Sequence, residues 1–251
     1  MHAAVLRVFV LLILVDVGAI AQRQPKELTL EDIFTSSKFA TKTLNGIHWM
    51  KDGRHYSFYE QDSATKSTNI YLFSAIEKSS KLLLNTASLK VNENDPTFRF
   101  TSYQWSPDEK QILLITAPPE RQYLSRLTPA GNIFLYDLTT KVFRQLTNVN
   151  EPQYNVKYSP DGKFLGFVRL NNIYVIDVAT GVERSLTADG TQHIINGRFD
   201  WVYEEEFGIS DGWQWSPDGK RIAFWSLDEN RVPEYTLTQW DSLYLQLIPM
   251  R

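Results

Sequence analysis

The chain has 251 residues, with 26 Lys and Arg against 29 Asp and Glu, for a formal charge of −3. That balance argues against a nucleic-acid-binding surface, which needs a surplus of cations to displace phosphate counterions. Apolar residues make up 43% and aromatic residues 13%, which supplies a sizeable core and excludes a wholly disordered chain. With no cysteine, disulfide frameworks, thiolate-zinc sites and cysteine nucleophiles are excluded as well.

The first element is a targeting segment. Arg7 supplies a positive charge, Val8 to Val15 is an unbroken apolar run, and Ala19-Ile20-Ala21 has the small-x-small form of a cleavage site. The run would rise only about 12 Å as a helix, too little to cross a bilayer. Residues 1–21 are therefore expected to be a secretory signal peptide cut before Gln22, leaving an exported protein, periplasmic or secreted. An uncleaved anchor and a buried N-terminal helix are the alternatives. Residues 22–45 form an N-terminal segment. Its one helix begins at Thr29, where Asp32 stands three residues on at capping-box spacing.

From residue 46 onward one unit repeats. Trp105-Ser106-Pro107-Asp108-Glu109-Lys110, Tyr158-Ser159-Pro160-Asp161-Gly162-Lys163 and Trp215-Ser216-Pro217-Asp218-Gly219-Lys220 are copies, and Trp49-Met50-Lys51-Asp52-Gly53-Arg54 is a weaker fourth. Their aromatic leaders lie 56, 53 and 57 residues apart. In these copies Pro, replaced by Lys51 in the weaker one, presets φ, Asp can bond its own backbone, and Gly, replaced by Glu109 in one, takes the positive φ that closes a β-turn. Short strands follow the turns: Tyr56–Tyr59, Ile112–Ile115, Phe164–Val168 and Ile222–Trp225. Second strands open on Asn69, Asn132 and Asn172, and third elements close two units at Phe143–Thr147 and Glu183–Thr187. Antiparallel strands recurring at a fixed interval predict an all-β fold, a β-propeller, over residues 46–251. A β-sandwich is the competing reading, and the period-two strands exclude a helical solenoid.

The segment Asp200-Trp201-Val202-Tyr203-Glu204-Glu205-Glu206-Phe207 carries the chemistry. Three successive carboxylates do not suit a blade strand, whose neighbours point to opposite faces. In a helical turn, residues about 100° apart could bring two carboxylates to one cation, and aromatic walls would strengthen their hold on a primary ammonium. A solvated acidic loop is the bland alternative, against which Trp201, Tyr203, Phe207 and Trp213 supply too much apolar area.

Gly208-Ile209-Ser210-Asp211-Gly212 fits the pattern of a serine nucleophile elbow. That elbow needs an apolar strand before it and a histidine after it. An acidic run precedes Ser210, and His2, His48, His55 and His193 all lie before it. His48 and His55 have no partner at ligand spacing, so no metal site and no cofactor is expected.

The Asp200–Glu206 run, with Gly208–Gly219 and Leu227-Asp228-Glu229-Asn230-Arg231-Val232-Pro233-Glu234 behind it, resembles the glutamate motif of the dipeptidyl peptidase IV family, in its bacterial form. That family belongs to the prolyl oligopeptidase class of serine peptidases. Thr29–Phe34 is similar to its mature N-terminus, and the resemblance spans residues 28–245. It implies an eight-bladed propeller, of which about four to five blades are here. It also implies that Glu205 and Glu206 bind the free α-ammonium of a peptide. Arg126, found by counting back from Tyr136-Asp137-Leu138, would contact a substrate carbonyl, although Leu127 and Thr128 depart from the family context.

The family's catalytic Ser-Asp-His triad lies in an α/β-hydrolase domain after the propeller, so no catalytic residue is expected within these 251. The implied role is proteolysis by a hydrolase for which this portion recognises the peptide N-terminus and gates access. The expected partners are that peptide, the hydrolase domain and, as a candidate assembly of the full-length protein, a homodimer; no nucleic acid is expected. The alternative is a non-catalytic periplasmic propeller, similar to TolB, that binds a partner protein.

Overall fold

The computed structural model describes residues 27–36, 39, 41, 43–91, 97–118, 130–233, 235–239 and 246–250. The expected signal peptide and Arg126 lie outside the described residues. The chain divides after Thr43. In the first part α1 (Leu30–Phe34) is capped as its sequence predicts. The Thr29 hydroxyl accepts from the Asp32 amide at 3.1 Å, and the Asp32 carboxylate accepts from the Thr29 amide at 3.5 Å.

The second part is built of antiparallel sheets. Strands β1 (Asn45–Trp49), β2 (His55–Gln61), β3 (Thr68–Ser74) and β4 (Ser79–Asn85) pair in chain order into a four-stranded meander. The same order recurs in β5 (Ser102–Trp105), β6 (Gln111–Ile115), β7 (Ile133–Asp137) and β8 (Phe143–Gln145), and again in β9 (Gln153–Tyr158), β10 (Phe164–Arg169), β11 (Asn172–Asp177) and β12 (Glu183–Ser185). These are the blades of a propeller, and the fold is all-β apart from short helices.

The three Ser-Pro-Asp turns join the first two strands of their sheets by one hydrogen-bond scheme. In the third sheet the Ser159 hydroxyl donates to Asp161 at 2.7 Å and accepts from the Phe164 amide at 2.9 Å, while the Gly162 amide donates to the Ser159 carbonyl at 2.9 Å. Ser106 and Ser216 make the same contacts in their turns. The aromatic leader of the turn reaches the preceding sheet: the Trp105 indole donates to the Ser57 hydroxyl at 2.8 Å, and that of Trp215 to the Lys157 carbonyl at 3.4 Å.

The core lies between sheets, not within one. Along β6, Ile112 and Leu114 enter a cluster with Ile70 and Leu84 of the first sheet. Leu113 and Ile115 point the other way, to Leu165, Phe167 and Ile176 of the third. Period-two alternation thus buries both faces of a central strand, and each such Ile or Leu contributes about 1.5–3 kcal/mol. A third cluster joins Tyr154, Val168 and Ile173 to Trp213 of the next unit.

That fourth unit departs from the meander. Strand β13 (Ile194–Asn196) pairs with β16 (Ser226–Asp228), and β14 (Trp213–Trp215) with β15 (Ile222–Phe224). The registers are continuous: Asn196 faces Ser226, and Trp213 faces Phe224. β13 and β14 are therefore two halves of one first strand, opened by an excursion over residues 197–212. A further hairpin pairs β17 (Tyr235–Gln239) with β18 (Gln246–Met250).

Candidate functional site

The excursion carries the acidic run. Its two ends pinch together where the Gly212 amide donates to the Gly197 carbonyl at 3.2 Å. Gly197 has φ +79°, and a Cβ there would sit 2.8 Å from Val168 and 2.9 Å from Ile173, so only glycine serves. Beyond this neck Arg198 bridges Asp211 in antiparallel fashion, and α2 (Trp201–Phe207) forms the tip.

The helix follows from its ends. The Asp200 carboxylate caps it by accepting from the Tyr203 amide at 3.0 Å. Gly208, left-handed at φ 65°, stops it and donates to the Glu204 carbonyl at 3.2 Å. The helical turn expected over the acidic run is thus present. A row of rings runs from Trp225, on the partner strand opposite the gap, through Phe199, Tyr203 and Phe207 of the excursion, with centroids 6.0, 4.9 and 5.7 Å apart.

Rotation about the helix separates the three carboxylates. Glu204 turns inward and is 5% exposed, Glu205 is half-buried, and Glu206 is exposed. Inside, Arg198 Nη2 lies 3.9 Å from Glu204 Oε1, and the guanidinium carbon stands 4.2 Å from the centroid of the Tyr154 ring. The acidic run is consequently two things: one buried anchor, then two adjacent acids that reach solvent beside exposed Trp201 and Phe207.

Strand β9 holds the excursion from below. Its register shifts between Lys157 and Tyr154, and Asn155 takes φ +54° there. The Asn155 amide donates to the Ser210 carbonyl at 3.1 Å. Lys157 Nζ donates to Asp211 at 2.7 Å, to Gln214 at 3.0 Å and to the Trp213 carbonyl, and stands 4.5 Å over the Trp213 ring. Beside Asn155 a hollow of ≈ 420 Å³ opens between β5 and β9, lined in part by Thr101, Ser102 and Gln104.

Ser210 serves this framework through its carbonyl, which also accepts from the Phe199 amide at 3.3 Å. His55 sits at a turn, with Nδ1 2.5 Å from Asp52. Among the described residues no cluster of three or more His, Asp or Glu could hold a metal ion. The structure thus brings Glu205 and Glu206 onto one helix. Sequence reasoning did not find Arg198, Tyr154, Asn155 or Lys157. One signal was available: Arg198 is the single Lys or Arg between Arg184 and Lys220 and stands just before the acids.

The chain contains blades of a β-propeller carrying a helical acidic insert. The family of the dipeptidyl peptidase IV (DPP IV) N-terminal region matches residues 106–244, more than half of the chain, and the chain belongs to it. Dipeptidyl aminopeptidase B of Saccharomyces cerevisiae is 34% identical over 135 residues, covering 53% of this chain and 16% of that protein. Dipeptidyl peptidase 4 of Felis catus is 29% identical over 221 residues, covering 86% of this chain and 26% of that protein. The crystal structure of Porphyromonas gingivalis dipeptidyl peptidase 4 superposes with a TM-score of 0.71 at 31% identity, covering 90% of this chain and 31% of that one. The chain thus spans 16% and 26% of the length of these two curated relatives. TolB from Acinetobacter baumannii matches with a TM-score of 0.40 at 20% identity, too slight to bear on the scaffold alternative.

Proposed function

We propose that this chain is the peptide-recognising part of an exported serine exopeptidase that removes dipeptides from free N-termini. Glu205 and Glu206 take the α-ammonium, Arg126 a backbone carbonyl, and a hydrolase domain supplies the triad. The observation that carries this reading is the separation of the three acids. With Glu204 turned inward, Glu205 and Glu206 are left adjacent at the tip of a pinned helix, beside aromatic surface that lowers the local dielectric. A primary ammonium has three donors and a positive charge, and charge-assisted bonds to two carboxylates satisfy it. Measuring from the N-terminus in this way makes the enzyme release two residues at a time. Gating by the propeller, export after Ala21 and a homodimer belong to the same proposal.

The test uses the protein expressed from the complete open reading frame. It should release Xaa-Pro from a peptide with a free amine and spare the N-acetylated peptide. Truncating one partner of a desolvated charge pair costs about 2–5 kcal/mol. Glu205→Ala or Glu206→Ala should therefore lower kcat/KM by about 30-fold or more. Unchanged kcat/KM in both variants, or equal cleavage of the acetylated peptide, would overturn the reading.

A further inference from the structure

A seven-residue helix has little stability of its own, because nucleation fixes several residues before hydrogen bonds compensate. The orientation of α2 therefore comes from its surroundings. The caps at Asp200 and Gly208 fix where the helix starts and stops, but they leave its rotation about its own axis less constrained. Rotation matters here, because successive residues are displaced by about 100°. A turn of that size would exchange the inward place of Glu204 with that of Glu205.

Glu204 is 5% exposed, and Arg198 lies beside it. Arg198 belongs to the ascending leg of the excursion, one residue past the pinched neck, where it bridges Asp211. Its guanidinium lies over the Tyr154 ring of β9 at 4.2 Å while Nη2 faces Glu204 Oε1 at 3.9 Å. One cation thus links the third sheet, the neck and the inward face of the helix. A buried carboxylate deprived of a nearby cation is strongly disfavoured and turns toward water, and turning Glu204 outward rotates the two acids that follow.

We infer that Arg198 is a positioning residue for amine recognition: by keeping Glu204 inward it sets the rotation that presents Glu205 and Glu206. This rests on the reading of those two acids given above. Arg198 itself touches no substrate in this scheme.

The experiment measures KM and kcat separately on a chromogenic dipeptidyl amide with a free amine, in the protein from the complete open reading frame. Misplaced ammonium ligands weaken ground-state and transition-state binding together, which raises KM and leaves kcat. Arg198→Met should raise KM at least tenfold with kcat within threefold, and Arg198→Lys should raise it less. Adding Glu204→Gln to Arg198→Met removes the buried charge that has lost this cation and should return at least threefold of the lost KM. A merely structural role would lower the active fraction, and so kcat, without moving KM. Unmoved KM in Arg198→Met, or no recovery in the double variant, overturns the inference. If Arg198→Met does not accumulate, Arg198→Lys and the double variant, each against wild type, make the same comparison. Glu205→Ala and Glu206→Ala separate the two claims: if both are silent, the amine reading fails. If either is impaired while the Arg198 variants keep their KM, only the positioning role fails.

Discussion

Gly166 offers the most direct test of how the third sheet supports the excursion. It lies in β10 between Leu165 and Phe167, whose side chains fill the core toward the second sheet. Its own face looks toward Trp213, the first residue of β14. A Cβ at Gly166 would lie 2.4 Å from Trp213 Cη2, 3.0 Å from Cζ3 and 3.2 Å from Cζ2. Carbon atoms pack at about 3.5–4.0 Å, so the ring would have to retreat by about 1 Å. It has little room, being 3% exposed and packed with Tyr154, Val168 and Ile173. Gly166→Ala would gain about 0.4–1 kcal/mol from a stiffer unfolded chain, but overpacking costs about 1–3 kcal/mol, and the more so against a rigid indole. The expected result is local: amide hydrogen exchange in β10 and β14 should quicken by about 5- to 150-fold, with β2 and β3 unchanged. Trp213→Leu removes the clashing ring, and in that background Gly166→Ala should cost less than about 1 kcal/mol. Unchanged exchange, or an equal rise in every sheet, would refute the packing argument.

Other consequences can be measured as directly. Ser159→Ala removes a fully buried hydroxyl that both donates and accepts in its turn, and should lower stability in urea unfolding by about 1–3 kcal/mol; Ser216→Ala, in a more exposed copy, should cost less. The Asp137 carboxylate accepts first from the Thr140 amide and then from the Gln111 side chain, which holds its pKa down from 3.8 to about 2. A depressed carboxylate stabilises the fold above its ordinary pKa and loses that contribution as pH falls through the folded value. A carbon-13 titration of Asp137 should therefore show a midpoint near 2, and a midpoint near 3.8 would remove it from the acid-labile set. Asp52, held to about 2 by the Arg54 amide and then by His55, should lose its contribution over the same interval.

The repeated turns were legible because their chemistry is local. Ser, Pro, Asp and Gly each act within six residues, so Ser106, Ser159 and Ser216 make one set of contacts. Strands β6, β10 and β11 were legible for a related reason, since runs buried on both faces are apolar throughout. Strand β4 was not, because the first four residues of Ser79–Asn85 are exposed and carry no alternation. Strand β1 is exposed along its whole length, and its two apolar residues, Ile47 and Trp49, are too few to mark a strand. The two acids at 205 and 206 could be named from their neighbours in sequence. Their seat could not: Arg198 and Tyr154 stand 44 positions apart, and only the packing of the excursion on β9 brings them together.

The split first strand of the fourth unit has a physical rationale. First strands reach the apolar cores on both sides of a sheet as well, as Tyr154 and Val156 of β9 show by entering different ones. Adjacent acids in such a strand would point to opposite faces, and at least one would enter a core without a partner, at a cost of several kcal/mol. Leaving the sheet avoids this. The chain departs at Gly197 and returns at Gly212, where the backbones touch and no side chain fits. Because the partner strand advances only from Ser226 to Phe224 across the gap, the pairing resumes in register. The blade keeps its hydrogen bonds and its contact through Trp213, while the acids move to a helix where one can be buried against Arg198 and two can face outward. Position and exposure are thereby set by different residues: the glycines and β9 fix where the helix stands, and the acids at its tip lie outside the demands of the sheet.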